Sequence, residues 1–309
     1  MTSAAYLPRR PARSLFVPVR GLRYHVLAWG DAALATPERP PLVLLHGWMD
    51  VAASFQFLVD ALARDWCVIA ADLRGFGRSA WHPHGYWFAD YVADFEALLD
   101  RYAPGEAVRV VGHSLGANVA MHYAGVRPHR VAELVALDGF GIPAEAPAQA
   151  PDKFAAWLDA LADPPGFATY AGFDAVARRL MRNDPRLAPH YAAFLARQWA
   201  VEGADGKVRL GADPRHKLPF PIVYRLEEVY AVWRRIRARV LWVAAEDSHI
   251  PRWLDRHPEG EAATDSLAGV RRRMAQVPGA TLVTIPDAGH MLHHDQPQAV
   301  AAAIEAFLA

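Results

Sequence analysis

Cysteine is nearly absent from this chain. Cys67 is the only one in 309 residues, which excludes an intrachain disulfide framework. It falls in the apolar run 66–71, where a buried, unreactive thiol is expected. Net charge is lacking too: 33 basic and 33 acidic residues give a formal charge of +0. That balance provides no basic surface for nucleic acid and no field for an acidic membrane. No run approaches the ~20 apolar residues of a membrane helix. The basic N-terminal stretch with Arg9, Arg10 and Arg13 is not followed by the roughly 7–15 apolar residues of a secretory signal. A soluble, cytoplasmic protein is therefore expected, with no membrane and no nucleic-acid partner. Neither H-E-x-x-H nor C-x-x-C occurs, so neither a metal nor a cofactor is expected. Gly75-Phe76-Gly77 lacks the third glycine of a dinucleotide fingerprint. Repeats and low-complexity tracts are missing as well.

What the chain does have is hydrophobic residues, at 53%, enough for a large core. They are arranged as short runs alternating with amphipathic stretches. Residues 16–19 and 24–29 read as an antiparallel hairpin about Gly21. Runs at 42–45, 67–71, 108–111, 134–137, 240–244 and 280–285 read as strands buried on both faces. Helical spacing marks 53–62, 88–102, 115–126, 266–276 and 297–308. This alternation predicts an α/β fold with a parallel sheet covered by helices on both sides. Between 140 and 237 the rhythm changes. No buried strand is evident there, and helical patterns at 152–162, 173–181, 187–201 and 226–236 are separated by proline and glycine. The expected division is a core at 1–139 and 238–309, with a helical cap at 140–237 inserted after the sixth strand.

The chemistry centres on Gly112-His113-Ser114-Leu115-Gly116, a G-x-S-x-G sequence between a strand and a helix. A turn at that junction pushes a serine hydroxyl out over the sheet edge, and the glycines leave room for it. Ser114 is thus a candidate nucleophile; the alternative is a simple helix N-cap, which serine favours. A serine needs a base and an orienting acid. Later strand ends supply both: Asp247 follows 240–244 and His290 follows 280–285. Asp138, at the end of 134–137, is the competing acid.

The chain resembles the α/β-hydrolase fold serine hydrolases of the lipase and esterase type, and within them the serine-hydrolase-like subgroup. The resemblance rests on His46-Gly47-Trp48-Met49-Asp50 with Ala53-Ser54-Phe55, Asp72-Leu73-Arg74-Gly75-Phe76-Gly77-Arg78-Ser79, the elbow, Glu246-Asp247 with Pro251, and Gly289-His290. It implies a mostly parallel eight-stranded sheet and a triad in the order Ser114, Asp247, His290. It also implies an oxyanion hole from the backbone N–H groups of Leu115 and Trp48, with Met49 as the other option for the second donor. The expected activity is cleavage of small to medium apolar carboxylic esters through an acyl-enzyme. A lactone or C–C bond hydrolase on the same triad, or a non-catalytic receptor, are the alternatives. A C–C hydrolase would need an arginine facing the nucleophile, for which Arg178, Arg179 and Arg234 are available. His113 is read as a packing and hydrogen-bonding residue. His46 is read as shaping the oxyanion loop, and Asp72 with Arg74 as an ion pair. His293-His294-Asp295 is read as a surface group or an outer layer of the site. Ten large residues of the cap, among them Trp157, Phe220 and Trp233, are divided between its own core and the roof of a pocket.

Overall fold

The computed structural model describes residues 5–254 and 267–309. Strands β1 (Arg13–Val19) and β2 (Leu22–Trp29) form the N-terminal hairpin, and β3 (Leu42–Leu45) starts the buried sheet. Helix α1 (Gln56–Ala61) follows a single 3-10 turn and leads to β4 (Val68–Ala71). Then come α2 (Phe88–Tyr102), β5 (Val108–His113), α3 (Leu115–Val126) and β6 (Val131–Leu137). An insertion of helices α4 (Ala150–Ala162), α5 (Phe173–Asn183) and α6 (Pro189–Trp199), a hairpin of β7 (Ala200–Glu202) with β8 (Val208–Leu210), and α7 (Leu226–Trp233) separates β6 from β9 (Arg239–Ala245). Helices α8 (Ile250–Leu254) and α9 (Ala268–Met274), strand β10 (Thr281–Ile285) and helices α10 (Leu292–Asp295) and α11 (Pro297–Phe307) complete the chain.

The sheet has eight strands in the order β1-β2-β4-β3-β5-β6-β9-β10. Only the pairings made by β2 are antiparallel; from β4 to β10 every neighbour is parallel. Strands β3 and β4 are apolar at every position, and β5, β6 and β9 are apolar over most of their length, because both faces are covered. Along β3 and β5, Val43, Leu45 and Val110 pack towards α2 and α3, while Leu42, Leu44 and Val111 pack towards α1 and α11. Period-two alternation thus feeds two cores from one strand.

Parallel strands all end at the same sheet edge, and this edge gathers the chemistry. His113 pairs with Leu137 across β5 and β6, so Ser114 and Asp138 leave the sheet side by side. The insertion departs from that edge. It has an apolar core of its own, containing Val176, Leu180, Ala192, Leu195 and Val208. The β7–β8 hairpin was not expected; residues 200–201 had been assigned to a helix. Each strand has three residues, too short for a period to register, and the turn between them contains Gly206 at φ +71°. The residues expected to open the helix at 266 lie in part outside the described residues; α9 is seen from Ala268.

Candidate active site

Ser114 sits where the strand turns into α3, with φ 50° and ψ −113°. That backbone region costs a non-glycine residue about 1–3 kcal/mol and persists only where surrounding structure enforces it. Here it is enforced by the amide of Ser114, which donates to the Leu137 carbonyl at 3.0 Å, and by Gly116. A Cβ on Gly116 would lie 2.1 Å from the Leu45 carbonyl oxygen, so only glycine lets α3 start this close to β3. Ser114 occupies the N-cap position of α3, yet its side chain makes no capping bond. The hydroxyl is therefore left for something other than helix capping.

His290 lies on the loop after β10 and is held from two sides. Its Nδ1 is 2.7 Å from Asp138 Oδ2, and its carbonyl accepts from His113 Nε2 at 2.8 Å. With Nδ1–H given to a carboxylate, Nε2 carries the lone pair, as a proton acceptor requires. Asp138 is 1% exposed and has a left-handed φ of 45°. Its amide donates to Val243 O at 2.8 Å, and its Oδ2 also accepts from Ser248 Oγ at 2.5 Å. Two neighbouring strands and a serine thus fix this carboxylate in place.

The expectation for the acid is corrected at this point. Asp247 does not meet His290. Its carboxylate points out of the site to Arg186 at 2.5 Å, and its side chain is 48% exposed. Sheet order is not the reason, since β9 lies beside β10, the strand that leads to His290. The local path of the loop after β9 is: it turns Asp247 outwards to Arg186 and brings Ser248 inwards to Asp138. Ser248, one residue past Asp247, is what the β9 loop contributes. Sequence inspection missed Ser248 altogether, and no motif marks it.

Upstream, the turn His46-Gly47-Trp48 lies against the elbow. A Cβ on Gly47 would come 2.8 Å from His113 Nδ1 and 3.3 Å from Ser114 Cβ, so the close approach requires glycine. His46 is fully buried: its Nδ1–H donates to Gly47 O at 2.7 Å, and its Nε2 accepts from Leu73 N at 2.9 Å. Burial pushes its pKa down, keeping it a neutral strut. Among the described residues, the backbone amides of Trp48, Met49 and Leu115 have no acceptor.

A cavity of about 880 Å³ opens from this edge. Trp48 and Leu115 line it at the elbow, and Trp157, Leu161, Phe220 and Tyr224 line it from the insertion. The indole of Trp48 is 53% exposed and faces this space. Phe167, Tyr170, Phe173, Phe194 and Trp199 pack in the insertion's own core instead, and Trp233, though it borders the cavity, is 1% exposed. Arg178, Arg179 and Arg234 do not line the cavity; Arg179 bonds Tyr170 and Arg234 bonds Gln276.

Two smaller expectations are also revised. Asp72 does not pair with Arg74; it binds His25 at 2.7 Å, while Arg74 binds Asp94 at 2.5 Å. Cys67 is half-buried rather than buried. Of the two readings of His293 and His294, the structure agrees with the outer layer of the site: they are 0% and 4% exposed.

With this geometry in place, similarity to known proteins can be stated. The family model of the alpha/beta hydrolase fold matches residues 40–297. A serine hydrolase-like protein of Danio rerio is 27% identical over 97% of this chain and 89% of its own length. The pimeloyl-[acyl-carrier protein] methyl ester esterase of Vibrio parahaemolyticus is 43% identical over 98 residues, 32% of this chain and 36% of that protein. Among solved structures, the thioesterase domain from the curacin biosynthetic pathway superposes with a TM-score of 0.78 at 23% identity, covering 96% of this chain and 99% of that one. This chain belongs to the α/β-hydrolase fold family, and the curated proteins it is similar to include serine hydrolase-like proteins, an esterase and an epoxide hydrolase. Among the described residues, no helix is long and apolar enough to cross a membrane.

Proposed function

We propose that this protein is a serine hydrolase that cleaves carboxylic esters of apolar acids or alcohols, with Ser114, His290 and Asp138 as its triad. The observations that carry this reading are a strained, uncapped Ser114 and a histidine, bonded through its carbonyl to the neighbouring His113, whose Nδ1 is held by a buried aspartate. His290 Nε2 takes the Ser114 Oγ proton as the oxygen attacks the substrate carbonyl. The negative oxygen of the tetrahedral adduct is received by the N–H groups of Trp48 and Leu115. Collapse breaks the ester C–O bond, and His290 returns the proton to the departing alkoxide. A water, deprotonated by His290, then attacks the acyl-enzyme and regenerates Ser114. Asp138 keeps the imidazole in the required tautomer and stabilises the imidazolium. Residues 140–237 act as the cap that roofs the substrate cavity, and its volume of about 880 Å³ suits the upper end of the expected small to medium range.

An aspartate at the nucleophile position would signal an epoxide or haloalkane hydrolase; this chain has Ser114. The C–C hydrolase alternative loses the three arginines offered for it, since they do not line the cavity.

The test is hydrolysis of p-nitrophenyl esters from acetate to decanoate, with labelling by a fluorophosphonate. Wild type is expected to turn over the series and to be labelled at Ser114. Ser114→Ala is expected to lose on the order of 10⁴–10⁶-fold in kcat. Wild-type rates in that variant would overturn the mechanism, and a folded wild type that neither labels nor turns over would favour the receptor reading.

A further inference from the structure

Beneath the site, three buried side chains from three elements point at one another. Asp50 lies on the loop after β3, His113 ends β5 and His293 is in α10. They are 3%, 1% and 0% exposed, and one donor atom from each lies within 4.8 Å of the other two. Asp50 Oδ2, His113 Nδ1 and both ring nitrogens of His293 have no hydrogen-bond partner. An unpaired buried polar atom costs about 1–3 kcal/mol, so four together call for an occupant.

The protonation state at one corner is fixed by its other bond. His113 Nε2 sits 2.8 Å from the His290 carbonyl oxygen, which can only accept, so Nε2 carries the hydrogen. His113 Nδ1 therefore turns a bare lone pair towards the cluster. Asp50 is similarly committed: its Oδ1 accepts from Val51 N at 2.8 Å and from the Ser54 hydroxyl, leaving Oδ2 to face inwards. His293, as a neutral imidazole, contributes one further lone pair. Two imidazoles and a carboxylate favour a zinc-like transition metal over calcium or magnesium, which prefer oxygen throughout. At two of the three corners the outer contacts match what metal ligands need: the second nitrogen of His113 donates to a backbone carbonyl, and the second oxygen of Asp50 is pinned by an amide and a hydroxyl. Gly47 leaves open the space beside His113 Nδ1 that a side chain would fill.

We propose that Asp50, His113 and His293 form a buried site for a zinc-like divalent transition-metal ion. Binding draws the three ligand atoms to about 3.4 Å from one another, as tetrahedral bonds near 2 Å require. The ion takes no part in making or breaking substrate bonds. Through His113 it polarises the N–H that holds the His290 backbone, so it is a positioning element for the loop that carries His290.

The test uses the full chain, stripped with a chelator and then dialysed against zinc or cobalt. Retained metal is counted by mass spectrometry, and the cobalt form is read by its visible d–d bands. Wild type is expected to keep close to one equivalent with tetrahedral-type bands and a raised Tm. X-ray absorption of the zinc form is expected to show two imidazoles and two oxygens, one from Asp50 and one from a bound water, at about 2.0–2.1 Å. His293→Phe and Asp50→Asn, checked for folding by circular dichroism, should each weaken retention on the order of 100-fold. Retention by folded wild type below about a tenth of an equivalent overturns the proposal. So does unchanged retention in both variants, or a zinc-soaked crystal with a water bridging the three atoms. If neither variant folds, the wild-type stoichiometry and absorption spectrum decide. None of these readouts depends on esterase activity.

Discussion

Asp138 and Asp247 each stand just past the end of a buried parallel strand, and their burial separates them. A carboxylate that orients an imidazole must be fixed and shielded from water; Asp138 is both, and Asp247 is neither. Asp138→Asn keeps the shape but offers His290 an amide that can stabilise the wrong tautomer. In a folded variant it should lower kcat by about 10³–10⁴-fold. Asp247→Asn removes only a partly exposed pair with Arg186 and should leave kcat within about threefold of wild type. Ester hydrolysis by the two purified variants checks both statements. A larger loss from Asp247→Asn would return the acid to the β9 loop.

Among the elements, α2 does more than cover the sheet. Its Asp94 is fully buried and accepts from Arg74 Nη2 at 2.6 Å, from Nε at 2.5 Å and from the Tyr24 hydroxyl. Arg74 is 3% exposed on the loop after β4, so one carboxylate joins helix, loop and hairpin. Removing Asp94 leaves the buried Arg74 only its second, partly exposed partner, Asp90 at 3.1 Å. Asp94→Ala should therefore destabilise the fold by about 3–5 kcal/mol, while replacing both Asp94 and Arg74 with apolar residues should cost less. Urea unfolding of the single and double variants measures the difference. Nearby, the loop from Asp72 to Ser79 reaches the cavity wall through the stack of Phe76, His216 and Tyr86, with ring centroids 3.7 Å apart on both sides. Loss of the Arg74 anchor should thus disturb substrate binding as well as stability.

At the scale of the molecule, burial of neutral histidines makes the fold acid-sensitive. Enclosure between Phe76 and Tyr86 pushes the His216 pKa down to about 3. The unfolded chain takes up this proton near pH 6.5, well before the native state does. The contribution is therefore fully present above about pH 6.5 and is lost as pH falls towards 3. His46, lowered by burial in the same way, adds to the slope. His216→Gln, which cannot ionise, should flatten the stability curve in that window by at most about 1.4 kcal/mol per pH unit. Thermal melts of wild type and variant between pH 4 and about 7 provide the check. An unchanged slope would show that His216 is protonated in the native state at the lower end.

Much of this protein was legible before any coordinates. Largely apolar runs of four to six residues marked the buried strands, because a strand covered on both faces has no polar register to show. G-x-S-x-G between a strand and a helix marked Ser114, because that turn tolerates only small neighbours. Both signals are local, and local geometry is what sequence spacing encodes. The rest depended on which segments become neighbours. Asp138 and Asp247 follow similar strands and look alike in the chain; only the folded paths of their loops turn Asp138 to His290 and Asp247 away to Arg186. The partners of Asp72 and Arg74 were misjudged from proximity in sequence, since the true partners are 47 and 20 residues away. Asp50, His113 and His293 share no motif, because the parallel sheet edge and the loop after β10 bring them together over more than two hundred residues of chain. The sequence by itself marked the buried strands, most helices and the candidate serine and histidine. Tertiary structure decided which aspartate meets His290, what lines the cavity and which buried groups cluster, since each depends on contacts between segments remote in the chain.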